Sequence, residues 1–189
     1  MAFTNASPFR SPAALTRLLL PLVLGLTLDL LTKAWAFNAL VTGQFEGIDG
    51  RMQVSSEEYQ FLPGFLHFRA HVNYGAVFGL GQGARPVFIG VSIVAMGLLV
   101  YLFATSGRQR LYQVLLGMLA AGVLGNFYDR ALFGYVRDMI YSLPKWGIFP
   151  WIFNIADSLL CVGVAGMFLL SFLRGDDEKA DLPAAGTTA

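Results

Sequence analysis

Residues 15–36 read LTRLLLPLVLGLTLDLLTKAWA, an apolar run that is long enough to cross a membrane as a helix. At 1.5 Å per residue such a helix reaches about 33 Å, slightly more than the roughly 30 Å of hydrocarbon in a bilayer. Asp29 and Lys33 lie inside the run, whereas a cleavable signal peptide keeps charges out of its apolar core. We therefore predict a retained transmembrane helix.

Three further apolar runs follow, at residues 86–104, 111–126 and 150–173. Pro86 and Pro150 begin two of them, at a helix position where a missing N–H costs nothing. We predict that residues 1–189 form a single integral membrane domain, an all-α membrane protein with four transmembrane helices. An even number of spans places both termini on the same side.

The composition excludes several other classes of protein. Apolar residues make up 56% of the chain and charged residues 13%, about half of the ~25% that is usual in soluble domains. A chain with so few charges and a net charge of +1 is not a nucleic-acid binder, a coiled coil or a disordered scaffold. Its single cysteine excludes an internal disulfide and a cysteine-based zinc site.

The connections between the runs indicate an orientation and one strand. The short turn at residues 105–110 contains two arginines and no acidic residue, which favours cytoplasmic termini and an extracytoplasmic segment at residues 37–85. Within that segment, apolar and polar side chains alternate over residues 66–72, as in a half-buried strand with His67 and His71 on its solvated face. The polar residues 46–60 predict a loop, and residues 175–189 predict a disordered tail.

Ionisable residues within the spans carry the chemical information, because inserting each one costs about 2.5–3.5 kcal/mol. Asp29 and Lys33 are four residues apart, so they share a helix face and can pair; we favour a structural role for this pair. Asn126, Asp129 and Arg130 share a face at the end of the third span. A buried amide such as that of Asn126 needs hydrogen-bond partners.

Two other carboxylates give the strongest signal. Asp138 lies in the predicted outer loop after the third span, and Asp157 lies near the start of the fourth. Two carboxylates at one site cannot both ionise cheaply, so the pair holds a proton that can be used to activate water and protonate a leaving amine. On this evidence, a catalytic dyad and a proton-relay or ion site remain equally open.

Five short motifs occur in order along most of the chain: DLLTK at 29–33, NYGAVF at 73–78, GVLGNFYDR at 122–130, VRD at 136–138 and FNIAD at 153–157. Together they resemble the conserved motifs of the bacterial lipoprotein signal peptidases, the signal peptidase II family. Each motif alone is weak, but the set of five in this order is specific.

The resemblance implies an intramembrane aspartic endopeptidase that removes the signal peptide from diacylglyceryl-modified prolipoproteins, cutting just before the lipidated cysteine. Asp138 and Asp157 would be its catalytic dyad, with no metal and no other cofactor. The residues that would line or support the substrate site are Asn73, Gly75, Asn126, Arg130 and Asn154. The structural polar residues would be Asp29, Lys33 and Asp129.

The resemblance also implies a setting. The predicted strand would belong to the family's β-cradle, a small β-containing extracytoplasmic subdomain between helices 1 and 2. The expected location is the bacterial cytoplasmic (inner) membrane, with the active site near the outer face. The expected partners are prolipoprotein substrates and membrane lipids, and the protein is expected to be a monomer.

Two residues depart from the family pattern. Arg137 stands where an apolar residue is usual, and a guanidinium beside Asp138 can lower the pKa of that carboxyl group. Met139 stands where an aromatic residue is common.

Three alternative functions remain: a proton- or cation-coupled transporter, a Mg²⁺-dependent membrane transferase and a paralogue without activity. Four spans without a repeat argue against the transporter. The lack of a closely spaced acidic motif with phosphate-binding glycines argues against the transferase.

Overall fold

The computed structural model describes residues 7–75, 81, 83–146 and 151–180. Its four long helices are α1 (Pro12–Leu40), α2 (Arg85–Thr105), α3 (Arg110–Leu132) and α4 (Ile155–Ala180). Each is long and apolar enough to cross a membrane, the candidate span of α4 being Ile155–Leu173. The prediction of four transmembrane helices is confirmed.

Helix α3 lies at the centre and packs against the other three helices. Small side chains permit this, because a Cβ atom on Gly117 would overlap the carbonyl oxygen of Leu18 and lie 2.6 Å from Cγ of Pro21. The outer helices instead expose large apolar side chains, among them Leu24, Val94 and Phe168. Such a surface suits contact with lipid tails.

Within the described part of the chain, six strands form two antiparallel sheets. The strands that follow α1 are β1 (Val41–Glu46), β2 (Met52–Ser56), β3 (Glu58–Leu62) and β4 (Leu66–Asn73), and those that follow α3 are β5 (Val136–Ser142) and β6 (Ile152–Phe153). Strands β1 and β2 pair with each other, and the second sheet has the order β3-β4-β5-β6. The predicted strand at 66–72 is thus present, and its sheet also recruits the connection between α3 and α4.

Two predicted loops are wrong. Residues 46–60 contain β2, which is mostly half-buried, and most of β3, which is exposed throughout, so neither strand shows a regular alternation of burial. Asp138 lies in β5 rather than in a loop, because residues 136–140 of this strand are buried on both faces and give no period of two. His67 is also not solvated: it is 6% exposed, pairs with Glu58 and accepts a hydrogen bond from the Gly64 N–H.

The boundaries of the last two helices also differ from the prediction. Helix α3 continues past residue 126, so that Asn126, Asp129 and Arg130 are all helical. Helix α4 begins at Ile155 rather than at 150, because the residues just before it pair in β6; Pro150 lies outside the described residues. The helix runs to Ala180, into the predicted disordered tail, with no proline to stop it before 183, and residues 181–189 are outside the described part of the chain.

Candidate active site

Asp138 lies in the middle of β5 with its side chain only 1% exposed. Each carboxylate oxygen accepts a hydrogen bond from an amide: Oδ1 from Asn154 Nδ2 at 2.6 Å and Oδ2 from Asn73 Nδ2 at 3.0 Å. Burial, and then the negative charge of Asp157, raise the pKa of Asp138 well above its usual range. The two amides and Lys33 act in the opposite direction but do not cancel this increase.

Asp157 lies in the first turn of α4, in a reciprocal cap with Asn154. The Asp157 N–H donates to Asn154 Oδ1 at 2.9 Å, and the Asn154 N–H donates to Asp157 Oδ2 at 3.3 Å. The second carboxylate oxygen, Oδ1, accepts from Asn126 Nδ2 at 2.8 Å. The cap that begins the helix therefore also fixes the position of this carboxylate.

Asn154 connects the two aspartates. Its Nδ2 group donates to Asp138 and, at 3.1 Å, to Asn126 Oδ1, while its own Oδ1 accepts from the Asp157 backbone. The structure thus brings Asp138, from the sheet, and Asp157, from α4, into one network of hydrogen bonds. The three amides that donate to these carboxylates, those of Asn73, Asn126 and Asn154, all belong to the residues expected at the substrate site.

A chain of buried charges lies beside this network. Lys33 Nζ is 2.7 Å from Asp29 Oδ2, 3.4 Å from Asp129 Oδ2 and 3.2 Å from Asn126 Oδ1. Asp129 is also 2.8 Å from the guanidinium of Arg137. Two acids and two bases balance, which matters because an uncompensated buried charge costs several kcal/mol. The predicted pair between Asp29 and Lys33 is present at one end of this chain of charges.

Asp29 also links the first helix to the fourth. Its Oδ1 accepts a hydrogen bond of 2.8 Å from the Ala156 N–H, one of the donors that a helix start leaves without an internal partner. Helix α3 passes close by at Gly125, where a Cβ atom would lie 3.1 Å from Asp29 Cγ and 3.1 Å from Ala156 Cβ. Asp29 therefore supports α4 one residue before Asp157, and no sequence motif indicates this contact.

Asn73, Gly75 and Arg130 form a second link to Asp138. Asn73 Oδ1 accepts from the Gly75 N–H at 2.9 Å, and the Gly75 carbonyl oxygen accepts from Arg130 Nη2 at 2.9 Å. The Arg130 guanidinium lies 4.7 Å from the centre of the Phe88 ring. The remainder of the NYGAVF motif, residues 76–78, lies outside the described residues.

The predicted effect of Arg137 is wrong. Neighbouring side chains in a strand point to opposite faces, so the guanidinium of Arg137 turns away from Asp138 and binds Asp129. The pKa of Asp138 is raised rather than lowered. Across the described ranges, no group of three or more His, Cys, Asp or Glu side chains is arranged to hold a metal ion.

Comparison with known proteins gives a consistent result. Residues 22–173 match the family model described as Signal peptidase (SPase) II. A lipoprotein signal peptidase of Shouchella clausii (strain KSM-K16) is 41% identical over 125 residues, which are 65% of this chain and 80% of the relative. Another, from Staphylococcus carnosus (strain TM300), is 36% identical over 156 residues, 82% of this chain and 88% of the relative. The structure of a bacterial membrane enzyme solved at 2.3 Å superposes with a TM-score of 0.71 at 30% identity, covering 88% of this chain and 93% of that one.

Proposed function

The chain belongs to the signal peptidase II family, and we propose that it is an intramembrane aspartic endopeptidase that cleaves diacylglyceryl-modified prolipoproteins just before the lipidated cysteine. The observation that carries the proposal is the pair Asp138 and Asp157, joined by Asn154, which donates to the Asp138 carboxylate at 2.6 Å and accepts from the Asp157 backbone N–H at 2.9 Å. Catalysis by such a pair needs no metal ion or other cofactor.

The raised pKa of Asp138 favours a pair that holds one proton and carries a single negative charge. The carboxylate of the pair takes a proton from a water molecule, whose oxygen bonds to the carbonyl carbon of the residue before the cysteine, while the held proton moves to the carbonyl oxygen. The resulting gem-diol collapses as the aspartate that took the proton from water gives it to the leaving nitrogen, while a diol hydroxyl returns a proton to the other aspartate. The C–N bond breaks, giving a carboxyl group on the signal peptide and a free amine on the cysteine.

The amides of Asn73, Asn126 and Asn154 keep the pair aligned during these steps, since each donates to one of its carboxylates. Arg130 and Gly75 lie at the edge of the same site: Arg130 donates to the Gly75 carbonyl oxygen, and the Gly75 N–H donates to Asn73 Oδ1. The ion pairs of Asp29, Lys33 and Asp129 support the site without touching the substrate.

The surrounding surfaces suit a substrate that stays in the bilayer. Asp157 lies at the first turn of a candidate span and Asp138 just beyond the end of another, so the pair lies near one membrane surface. We place this surface on the outer side of the cytoplasmic (inner) membrane, with both termini in the cytoplasm. The exposed leucines of α1 face lipid, which lets a monomer receive the acyl chains and the apolar signal helix laterally.

The test uses the purified full chain and a diacylglyceryl-modified prolipoprotein, followed by a gel shift and by sequencing of the product's N-terminus. Asp138→Asn and Asp157→Asn are expected to lower kcat at least about a hundredfold while remaining folded. The matched control is Asp49→Asn, the same change at an exposed carboxylate in the turn between β1 and β2.

The parent and the control should release a product that begins with the lipidated cysteine, with or without a chelator. Cleavage by Asp138→Asn, inhibition by the chelator or a folded parent without activity would each contradict the proposal.

A further inference from the structure

Arg137 is held by one carboxylate through both its side chain and its backbone. Its Nε and Nη2 groups donate to Asp129 Oδ1 at 3.1 and 2.8 Å, and its backbone N–H donates to Asp129 Oδ2 at 2.9 Å. All three bonds tie strand β5 to the last turns of α3, directly before Asp138. The guanidinium is desolvated as well, since Arg137 is only 9% exposed.

Two aromatic rings complete the surroundings of this guanidinium. Its Cζ atom lies 4.4 Å from the centre of the Phe133 ring and 6.0 Å from that of Phe37. A planar guanidinium can stack on a ring and donate from two nitrogens at once, whereas a lysine ammonium is a point charge. The position is therefore built for arginine rather than for any cation.

Met139, the residue that follows Asp138, is also held in place by its surroundings. Met139 is fully buried in an apolar cluster with Ala36, Leu40 and Ile140, which joins β5 to the end of α1. Both neighbours of Asp138 are thus fixed, one by ion pairing and one by packing, while its carboxylate remains among the amides of Asn73 and Asn154.

We propose that Arg137 is a positioning residue: through Asp129 it fixes the backbone that carries Asp138. It also supplies a second positive charge, without which the buried carboxylates of Asp29 and Asp129 would have only Lys33 to balance them. The inference rests on the proposed function and extends it to a residue that touches neither substrate nor dyad. A misplacement of a reacting group by about 1 Å can cost about a hundredfold in rate, so the effect falls on kcat.

The experiment measures kcat and KM for cleavage of the lipidated prolipoprotein by Arg137→Met, Arg137→Lys and Asp129→Asn. It also includes the double variant Arg137→Met/Asp129→Asn. The matched control is Arg69→Met, the same change at an exposed position of β4. We expect Arg137→Met to lower kcat about 10- to 100-fold with KM within about twofold of the parent.

Arg137→Lys should recover part of that loss, because it restores the charge without the second donor. The double variant should lose less than the product of its two single losses, because it removes both charges together. The pH profile of kcat in Arg137→Met should move to higher pH, since an unbalanced Asp129 disfavours a second negative charge nearby.

The inference is overturned if Arg137→Met and Arg137→Lys both keep the parent's kcat and pH profile, or if only KM changes. If Arg137→Met does not fold, the same criteria apply to Arg137→Lys, which keeps the buried charges balanced.

A folded parent that cleaves nothing would show that the proposed function is wrong. A second set of measurements, made without substrate, tests the role of Arg137 independently of that result. The pH dependence of thermal unfolding is compared between each protein and its Asp138→Asn counterpart, which isolates the titration of Asp138 without substrate. The inference is supported if the pH range over which the Tm of the two proteins diverges lies higher for Arg137→Met than for the parent. It is overturned if that range is the same for both.

Discussion

Replacing Gly125 by alanine tests whether Asp29 holds the start of α4. A Cβ atom at this position would overlap Asp29 Oδ2 and lie 3.1 Å from both Asp29 Cγ and Ala156 Cβ. Carbon atoms in contact lie about 3.5–4.0 Å apart, so each of these neighbours must retreat by at least about 0.4 Å. The same two residues share the 2.8 Å bond between Asp29 Oδ1 and the Ala156 N–H, so the new methyl group acts directly on this contact.

The cost follows from what the displaced carboxylate loses. Breaking a buried ion pair costs about 3–5 kcal/mol, and alanine returns about 1 kcal/mol through its better helix propensity. The net loss of about 2–4 kcal/mol corresponds to a fall in Tm of about 4–16 °C for a chain of this size. We expect kcat to fall as well, because Asp157 follows the supported residue directly.

The assay is thermal unfolding of the purified protein in detergent, together with the cleavage assay. Gly97→Ala is the matched control: it lies in α2, and a Cβ atom there meets nothing within 4 Å. That variant should be as stable as the parent or slightly more stable. If Gly125→Ala unfolds within about 2 °C of Gly97→Ala and keeps its kcat, Asp29 does not support α4 in the way described.

Two other predictions concern stability. Since the pKa of Asp138 is raised, the folded protein keeps a proton that the unfolded chain releases above about pH 4, so stability falls as pH rises towards the folded pKa, by up to about 1.4 kcal/mol per pH unit. Asp138→Asn should lack this decline, and Tm measured from about pH 4 to 8 should diverge from the parent; parallel curves would contradict the assigned burial. Arg85 caps the end of α3 by donating to the carbonyl oxygens of Arg130 and Ala131 at 2.8 and 2.9 Å. Arg85→Met should therefore lower the free energy of unfolding, measured by chemical denaturation, by about 1 kcal/mol, whereas Arg69→Met should not. Equal stability of the two variants would refute this capping role.

The sequence revealed those features whose physical cause is periodic. The four spans are visible because the bilayer sets their length, and β4 is visible because apolar and polar side chains alternate along it. The pairing of Asp29 with Lys33 follows from a spacing of four residues on a helix.

Other features have no periodic pattern. Strand β5 is buried on both faces near Asp138 and β3 on neither, so neither strand alternates in polarity. Arg137 is adjacent to Asp138 in sequence, yet the strand directs the two side chains to opposite faces, which cannot be known before the strand itself is recognised. The partner of Asp29 on α4 is a backbone N–H at Ala156, and a backbone donor has no residue signature.

The bond between Asp29 and Ala156 has a consequence for the biogenesis of the protein. Because the ion pair with Lys33 is local to α1, the two charges can neutralise each other as the first span enters the membrane, although each alone would cost about 2.5–3.5 kcal/mol. The Ala156 N–H is 127 residues further along, which is about 6–25 s of synthesis at 5–20 residues per second. Through that interval a nascent chain contains the support for α4 but not Asp157. A nascent chain shorter than 157 residues therefore has at most one aspartate of the proposed dyad, and the proposed site is complete only after the start of α4 has been made.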